Sequence, residues 1–265
     1  MIKSYRKSLK QNKTFFLSLV GTLFMLGSFF LCYNSPLVLS YLGNVTFGGS
    51  PPKFYSLPIA KFAYMRSSEL RTSENKPIPW SNYQLGRIAF ITGDLSIALE
   101  YFNKELEYYP LHTKVYYMKG LTLGYIGREE EGIEAFKFYT KNTNDTWASF
   151  NDLAWLQFRI GDIKGALETI EPIAKAQDHN PWIANTYGVL LMNVGRLLEA
   201  QESFAKGEET LSQMSEKDWG VAYPGNNPRI YRKGLSGMRE SFSANQKLVK
   251  EKIKEASTTK RSVPK

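Results

Sequence analysis

Cysteine and histidine are almost missing from these 265 residues: Cys32, His112 and His179 are all there is. A single cysteine excludes an internal disulfide framework, and its place in an apolar stretch leaves the redox compartment open. Neither histidine has a cysteine or second histidine at metal-ligand spacing, so no metal site and no cofactor is expected. Nucleophile motifs, phosphate-binding loops and dinucleotide-binding glycine patterns are missing too, which argues against an enzyme. The acidic run Glu129-Glu130-Glu131 opens a helix, where carboxylates favour the helix dipole, and reads as structure rather than as a catalytic site.

Charge is absent from Thr14 through Pro52. Within that gap Thr14–Tyr33 is twenty uncharged residues, about 30 Å as a helix and enough to cross a bilayer. Lys3, Arg6, Lys7, Lys10 and Lys13 precede it, so a single-pass anchor with its basic N-terminus in the cytoplasm is expected. A cleaved secretory signal fits less well, because the apolar run is too long and no small-x-small site follows it. Phe29-Phe30-Leu31 lacks the small residues that a lipoprotein site at Cys32 needs. The formal +9 is concentrated at the ends. Met1–Lys13 and Lys247–Lys265 carry a net five positive charges each, leaving residues 14–246 at about one net negative charge. A near-neutral middle does not suit nucleic acid.

Glycine recurs with a period. Gly93, Gly127, Gly161 and Gly195 stand 34 apart, each followed by Asp or Arg. At a glycine frequency of about 7%, three further hits at fixed offsets arise by chance roughly three or four times in ten thousand. Two columns of small residues share the step, Gly86/Gly120/Ala154/Gly188 and Ala98/Gly132/Ala166/Ala200, and so does a bulky one, Phe102/Phe136/Ile170/Phe204. This is the pattern of a helix–turn–helix unit: small residues let two helices approach, the bulky one fills the gap, and a turn glycine ends the first helix.

These residues resemble the tetratricopeptide repeat family. Leu85, Gly86, Gly93, Ala98, Phe102 and Pro110 of the first unit carry the motif; Lys119 and Tyr187 replace its Leu, and Asn144 and Asp178 its Pro. The resemblance implies an all-α fold, a right-handed α-solenoid of about four repeats over 79–112, 113–146, 147–180 and 181–214. Around it the sequence suggests a basic cytoplasmic segment (1–13), a transmembrane helix (14–33), an interfacial segment and linker (34–56) and an N-terminal capping helix region (57–78). A loop (215–228), a C-terminal capping helix (229–253) and a disordered tail (254–265) follow.

The resemblance also implies that the first helix of each unit lines a concave, partner-binding groove. The residues at those places are Trp80, Tyr83, Arg87 and Phe90; Lys114, Tyr117 and Tyr125; Asn151, Trp155, Phe158 and Arg159; and Trp182, Asn185 and Asn193. Asn151 and Asn185 are equivalent positions whose amides suit the backbone of an extended peptide. The basic and amide set with which chaperone-tail binders of the family hold a terminal carboxylate is missing, since Tyr83 and Tyr117 stand in its place. The expectation is a non-enzymatic scaffold at the inner (cell) membrane, its repeats outside the cytoplasm, binding a protein or peptide partner of an envelope assembly. The alternative is an accessory subunit that binds a glycan in a polysaccharide synthesis or export system.

Overall fold

The computed structural model describes residues 18–31, 33–47, 56–70, 72, 74–143, 147–222 and 233–261. Among them the chain is helical, without a strand. It divides into two compact units, Met1–Leu85 and Gly86–Lys265.

In the N-terminal unit, α1 (Ser18–Leu31) precedes α2 (Pro36–Phe47) and α3 (Leu57–Glu69), which pack together as a hairpin. Gly43 permits the contact: a Cβ there would sit 2.6 Å from the buried ring of Tyr64, whose hydroxyl donates to Asn44 Oδ1 at 2.7 Å. The apolar piece after Pro36 is thus a regular helix. Residues 14–17 and Cys32 of the expected span lie outside the described residues. Among the described residues no single helix is long and apolar enough to cross a membrane.

Helix α4 (Ser81–Thr92) starts in this unit and continues into the next. There α5 (Leu95–Tyr108), α6 (Thr113–Tyr125), α7 (Glu129–Asn142), α8 (Trp147–Arg159), α9 (Ile163–Ala176), α10 (Pro181–Asn193) and α11 (Leu197–Gln213) follow. The α6/α7, α8/α9 and α10/α11 hairpins stack, with α6 against α8 and α8 against α10. Each turn glycine has a positive φ: +89° at Gly93, +78° at Gly127, +85° at Gly161 and +79° at Gly195. The next residue's N–H bonds back to the carbonyl five residues earlier, as in Asp94 N to Ala89 O and Arg196 N to Leu191 O, both 2.9 Å. That is a helix stop which only glycine enters without strain.

The residue after the glycine can also serve the start of the next helix, and Asp and Arg do so differently. Asp162 accepts the Gly165 N–H at 2.9 Å. Arg128 and Arg196 instead hold the carboxylate three residues on with both guanidinium arms, Arg128 reaching Glu131 at 2.6 and 2.7 Å and Arg196 reaching Glu199 at 2.8 and 2.5 Å. The close-approach column is equally explicit. A Cβ on Gly188 would come within 2.6 Å of the Phe204 ring, and one on Gly120 within 3.0 Å of Phe136. In the remaining hairpin the small residue is Ala154 and its bulky partner shrinks to Ile170; both are fully buried.

Two expectations for the C-terminal part need correction. The expected loop contains α12 (Glu216–Ala222), which buries Trp219. Ser215 and Asp218 exchange side-chain-to-backbone bonds at 3.2 Å, a reciprocal cap that starts this helix. The final helix α13 (Gly234–Arg261) runs on through most of the expected disordered tail. Ser257 and Thr258 hydroxyls bond to carbonyls one turn back, and the residues around them include good helix formers. Residues 262–265, and 229–232 of the expected capping helix, lie outside the described residues. Helix α13 packs on α11, where Phe242 lies over Gly207, 3.0 Å from the place of a Cβ. Ala184, Phe204, Leu235, Phe242 and Val249 share one core there.

Candidate functional site

Because α6, α8 and α10 lie side by side, residues on their outward faces meet. Tyr125, Asn151, Trp155, Arg159, Trp182 and Asn185 line one cavity of about 270 Å³. The far wall comes from the C-terminal helices, through Trp219, Met238 and Ser241.

Much of the exposed lining contributed by α6, α8 and α10 is aromatic. Trp155 keeps 39% of its surface in solvent and packs on Phe158, ring centroids 5.4 Å apart. Trp182 rests on Trp147 at 5.3 Å, and Tyr125 lies against the buried Phe90 at 5.8 Å. Arg159 forms part of the rim but is held by its neighbours: it donates to the Gly124 carbonyl at 3.0 Å and pairs with Glu129 at 2.5 Å.

Beneath the aromatics runs a buried polar ladder. Thr186 Oγ1 of α10 donates to Asn151 Oδ1 of α8 at 2.8 Å. Asn151 Nδ2 reaches Asp152 Oδ1 at 3.5 Å, and the Tyr117 hydroxyl of α6 donates to Asp152 Oδ2 at 3.3 Å. The ladder ties the three lining helices together and is itself a structural element, since buried polar groups left unpaired are costly. Asn185 is engaged from the other side: its Oδ1 accepts from Asn245 Nδ2 of α13 at 2.9 Å.

The two asparagines thus do not form a matched pair of open amides. One is 6% exposed inside the ladder; the other meets the capping helix. Tyr117 is likewise buried, between Phe136 and Tyr139. Trp80 and Tyr83 belong to the N-terminal unit, where their rings meet edge to face at 5.5 Å, Trp80 exposed and Tyr83 buried. Arg87 stands half-buried on α4, and exposed Asn193 closes α10 by bonding to the Val189 carbonyl at 2.8 Å. Lys114 is exposed at the start of α6.

Sequence reasoning missed Asp152, Thr186, Trp219, Met238 and Ser241. The sequence Ser215-x-x-Asp218 ahead of Trp219 was the available signal, since it marks a helix start. The contributions of Met238 and Ser241 depend on where α13 folds back, and no local pattern carries that. Among the described residues no group of His, Cys, Asp and Glu is placed to hold a metal ion.

No family model matches the chain. A curated relative, an uncharacterized protein of Methanocaldococcus jannaschii, is 46% identical over 44 residues, 17% of this chain and 51% of the relative. The chain therefore spans about half the length of the curated relative it matches. Among solved structures, YrrB, described as a TPR protein with an unusual peptide-binding site, superposes with a TM-score of 0.51 at 18% identity, covering 73% of this chain and 98% of YrrB. The Cut9–Hcn1 hetero-tetramer of the APC/C gives 0.50 at 16% identity, covering 83% of this chain and 44% of that one. These likenesses show a tetratricopeptide-like helical fold.

Proposed function

We propose that the protein is a non-enzymatic interaction scaffold, tethered to the inner membrane, that holds an extended segment of a partner protein in the cavity bordered by α6, α8 and α10. The observation that carries this reading is the cavity itself. About 270 Å³ of open space is lined by partly exposed aromatic rings on a rigid, hydrogen-bonded floor. Aromatic anchors above an ordered base suit a binding hot spot, because little conformational entropy is lost on association. The peptide-binding site for which YrrB is described supports the same use of the fold. With both asparagines occupied, affinity rests on the rings more than on amide contacts to a peptide backbone.

The tether reading rests on α1, where Leu23, Phe24, Met25, Leu26, Phe29, Phe30 and Leu31 are all more than half exposed. A helix that is apolar all round and uncovered by protein needs an apolar surrounding. Five basic residues before Thr14 favour an N-terminus in the cytoplasm and repeats outside it.

Trp155→Ala tests the groove. It removes a partly exposed ring without touching the ladder, so melting of the detergent-solubilised protein should hold. Recovery of the co-purifying partner from host membranes should fall about tenfold or more, as expected for a hot-spot ring contributing about 2 kcal/mol. Unchanged recovery would place the partner elsewhere, and recovery of sugar polymer in place of polypeptide would favour the glycan alternative.

A further inference from the structure

Helix α2 is two-faced in an unusual way. Leu39, Gly43 and Phe47 are buried in the hairpin, while Leu37, Val38, Tyr41, Leu42 and Val45, one turn-spaced stripe, are 37 to 69% exposed. No charged residue occurs anywhere in α2. Its neighbour α3 adds exposed Ile59, Phe62 and Met65. An uncovered apolar surface this continuous marks a contact with something apolar.

Its position says what. Helix α2 follows α1 after a short connection, and the two axes meet at 85°. If α1 stands across a bilayer, as the proposed function has it, α2 lies in the plane of the membrane. The junction has the chemistry of that depth. The Tyr33 ring lies 6.2 Å from both Phe29 and Phe62, and the Arg66 guanidinium sits 4.5 Å over it while pairing with Glu69 at 3.2 Å. Aromatic rings capped by a cation that reaches toward water are the usual furnishing of a bilayer interface.

We infer that the α2/α3 hairpin is a membrane-seated foot: the outer face of α2 lies among the headgroups and upper acyl chains of the outer leaflet. The bilayer is the occupant of this surface. The foot gives the chain a second, in-plane contact and fixes the hairpin against the membrane at the point where the anchor emerges.

The inference rests on the anchor reading, and the test separates the two. In the full-length protein with Cys32→Ser, single cysteines at Phe24→Cys, Tyr41→Cys and Lys164→Cys carry an environment-sensitive fluorophore. The protein is reconstituted into phosphatidylethanolamine/phosphatidylglycerol vesicles containing lipids spin-labelled near the headgroup or deep in the acyl chain. The expected result is that the probe at 24 loses most emission to the deep label, the probe at 41 to the shallow label, and the probe at 164 to neither. A probe at 41 that both labels leave unquenched overturns the foot, even when the probe at 24 confirms the anchor; if that probe is also shielded from water, a protein surface covers α2 instead. Deep quenching at 41 makes α1 and α2 a re-entrant pair and also overturns it. Shallow quenching at 41 without quenching at 24 removes the anchor and leaves the membrane contact of α2 standing.

Discussion

At Gly188 the difference of one methyl group is decisive. The Phe204 ring occupies the place of its Cβ at 2.6 Å, so Gly188→Ala should destabilise by about 1–3 kcal/mol through overpacking. The hairpin built on Ala154 and Ile170 shows the remedy within the same chain. Adding Phe204→Ile to Gly188→Ala should recover part of the loss, and chemical unfolding of the two variants measures it; a double variant no more stable than the single one would contradict the pairing. Asn151 is the second sensitive residue. Asn151→Ala strands the Thr186 hydroxyl, 4% exposed, and should cost about 1–3 kcal/mol. Asn185→Ala should cost less, because Asn185 is only partly buried. Equal melting temperatures for the two variants would contradict the ladder.

The paired helices were readable because their requirements are local. A positive φ at a helix stop strongly favours glycine, so the stops at Gly93, Gly127, Gly161 and Gly195 are written in single letters. Close approach demands a small residue, and Gly120 opposite Phe136 is legible for the same reason. The roles of Asn151 and Asn185 were not legible. They depend on Thr186 and on Asn245, the latter contributed by a helix that returns from far along the chain. The extent of α13 was missed because charge and polarity in Lys254–Arg261 suggest a tail, although the contacts that support it are made further back, through Phe242 and Val249. That dependence gives a prediction for the element: Phe242→Ala should cost about 3–5 kcal/mol. Hydrogen exchange should show α11 and α13 losing protection before α6 and α7, since repeat arrays fail from the damaged end. Uniform loss along the chain would refute that order.

The Arg–Glu ion pairs at the starts of α7 and α11 add a dependence on pH. Hydrogen bonding to Arg128 holds Glu131 below its ordinary 4.5, and hydrogen bonding to Arg196 does the same for Glu199. A carboxylate lowered in the folded state contributes stability that is present above the ordinary value and lost as pH falls through the lowered one. Acid unfolding should therefore ease below about pH 4.5, and Glu131→Gln with Glu199→Gln should flatten the profile there. An unchanged profile would mean that these exposed pairs contribute nothing.

Over the whole molecule, basic charge collects at the two ends and the middle is near neutral. The proposed division of labour follows: apolar helices of the N-terminal unit that meet the membrane, and a stack of helical pairs whose aromatic cavity meets a partner. Alkaline carbonate should leave the intact chain with membranes, and a reporter fused after Lys265 should be active only outside the cytoplasm; release of a shortened soluble form would remove the tether. The partner claim is tested most directly by a photo-crosslinking amino acid placed at Trp155, inside the cavity, and at Lys164, whose side chain is 89% exposed on α9, in the full-length protein in its own membranes. The account predicts a protease-sensitive polypeptide adduct from position 155 and none from position 164. An adduct from 164 alone, or none from 155, would contradict it.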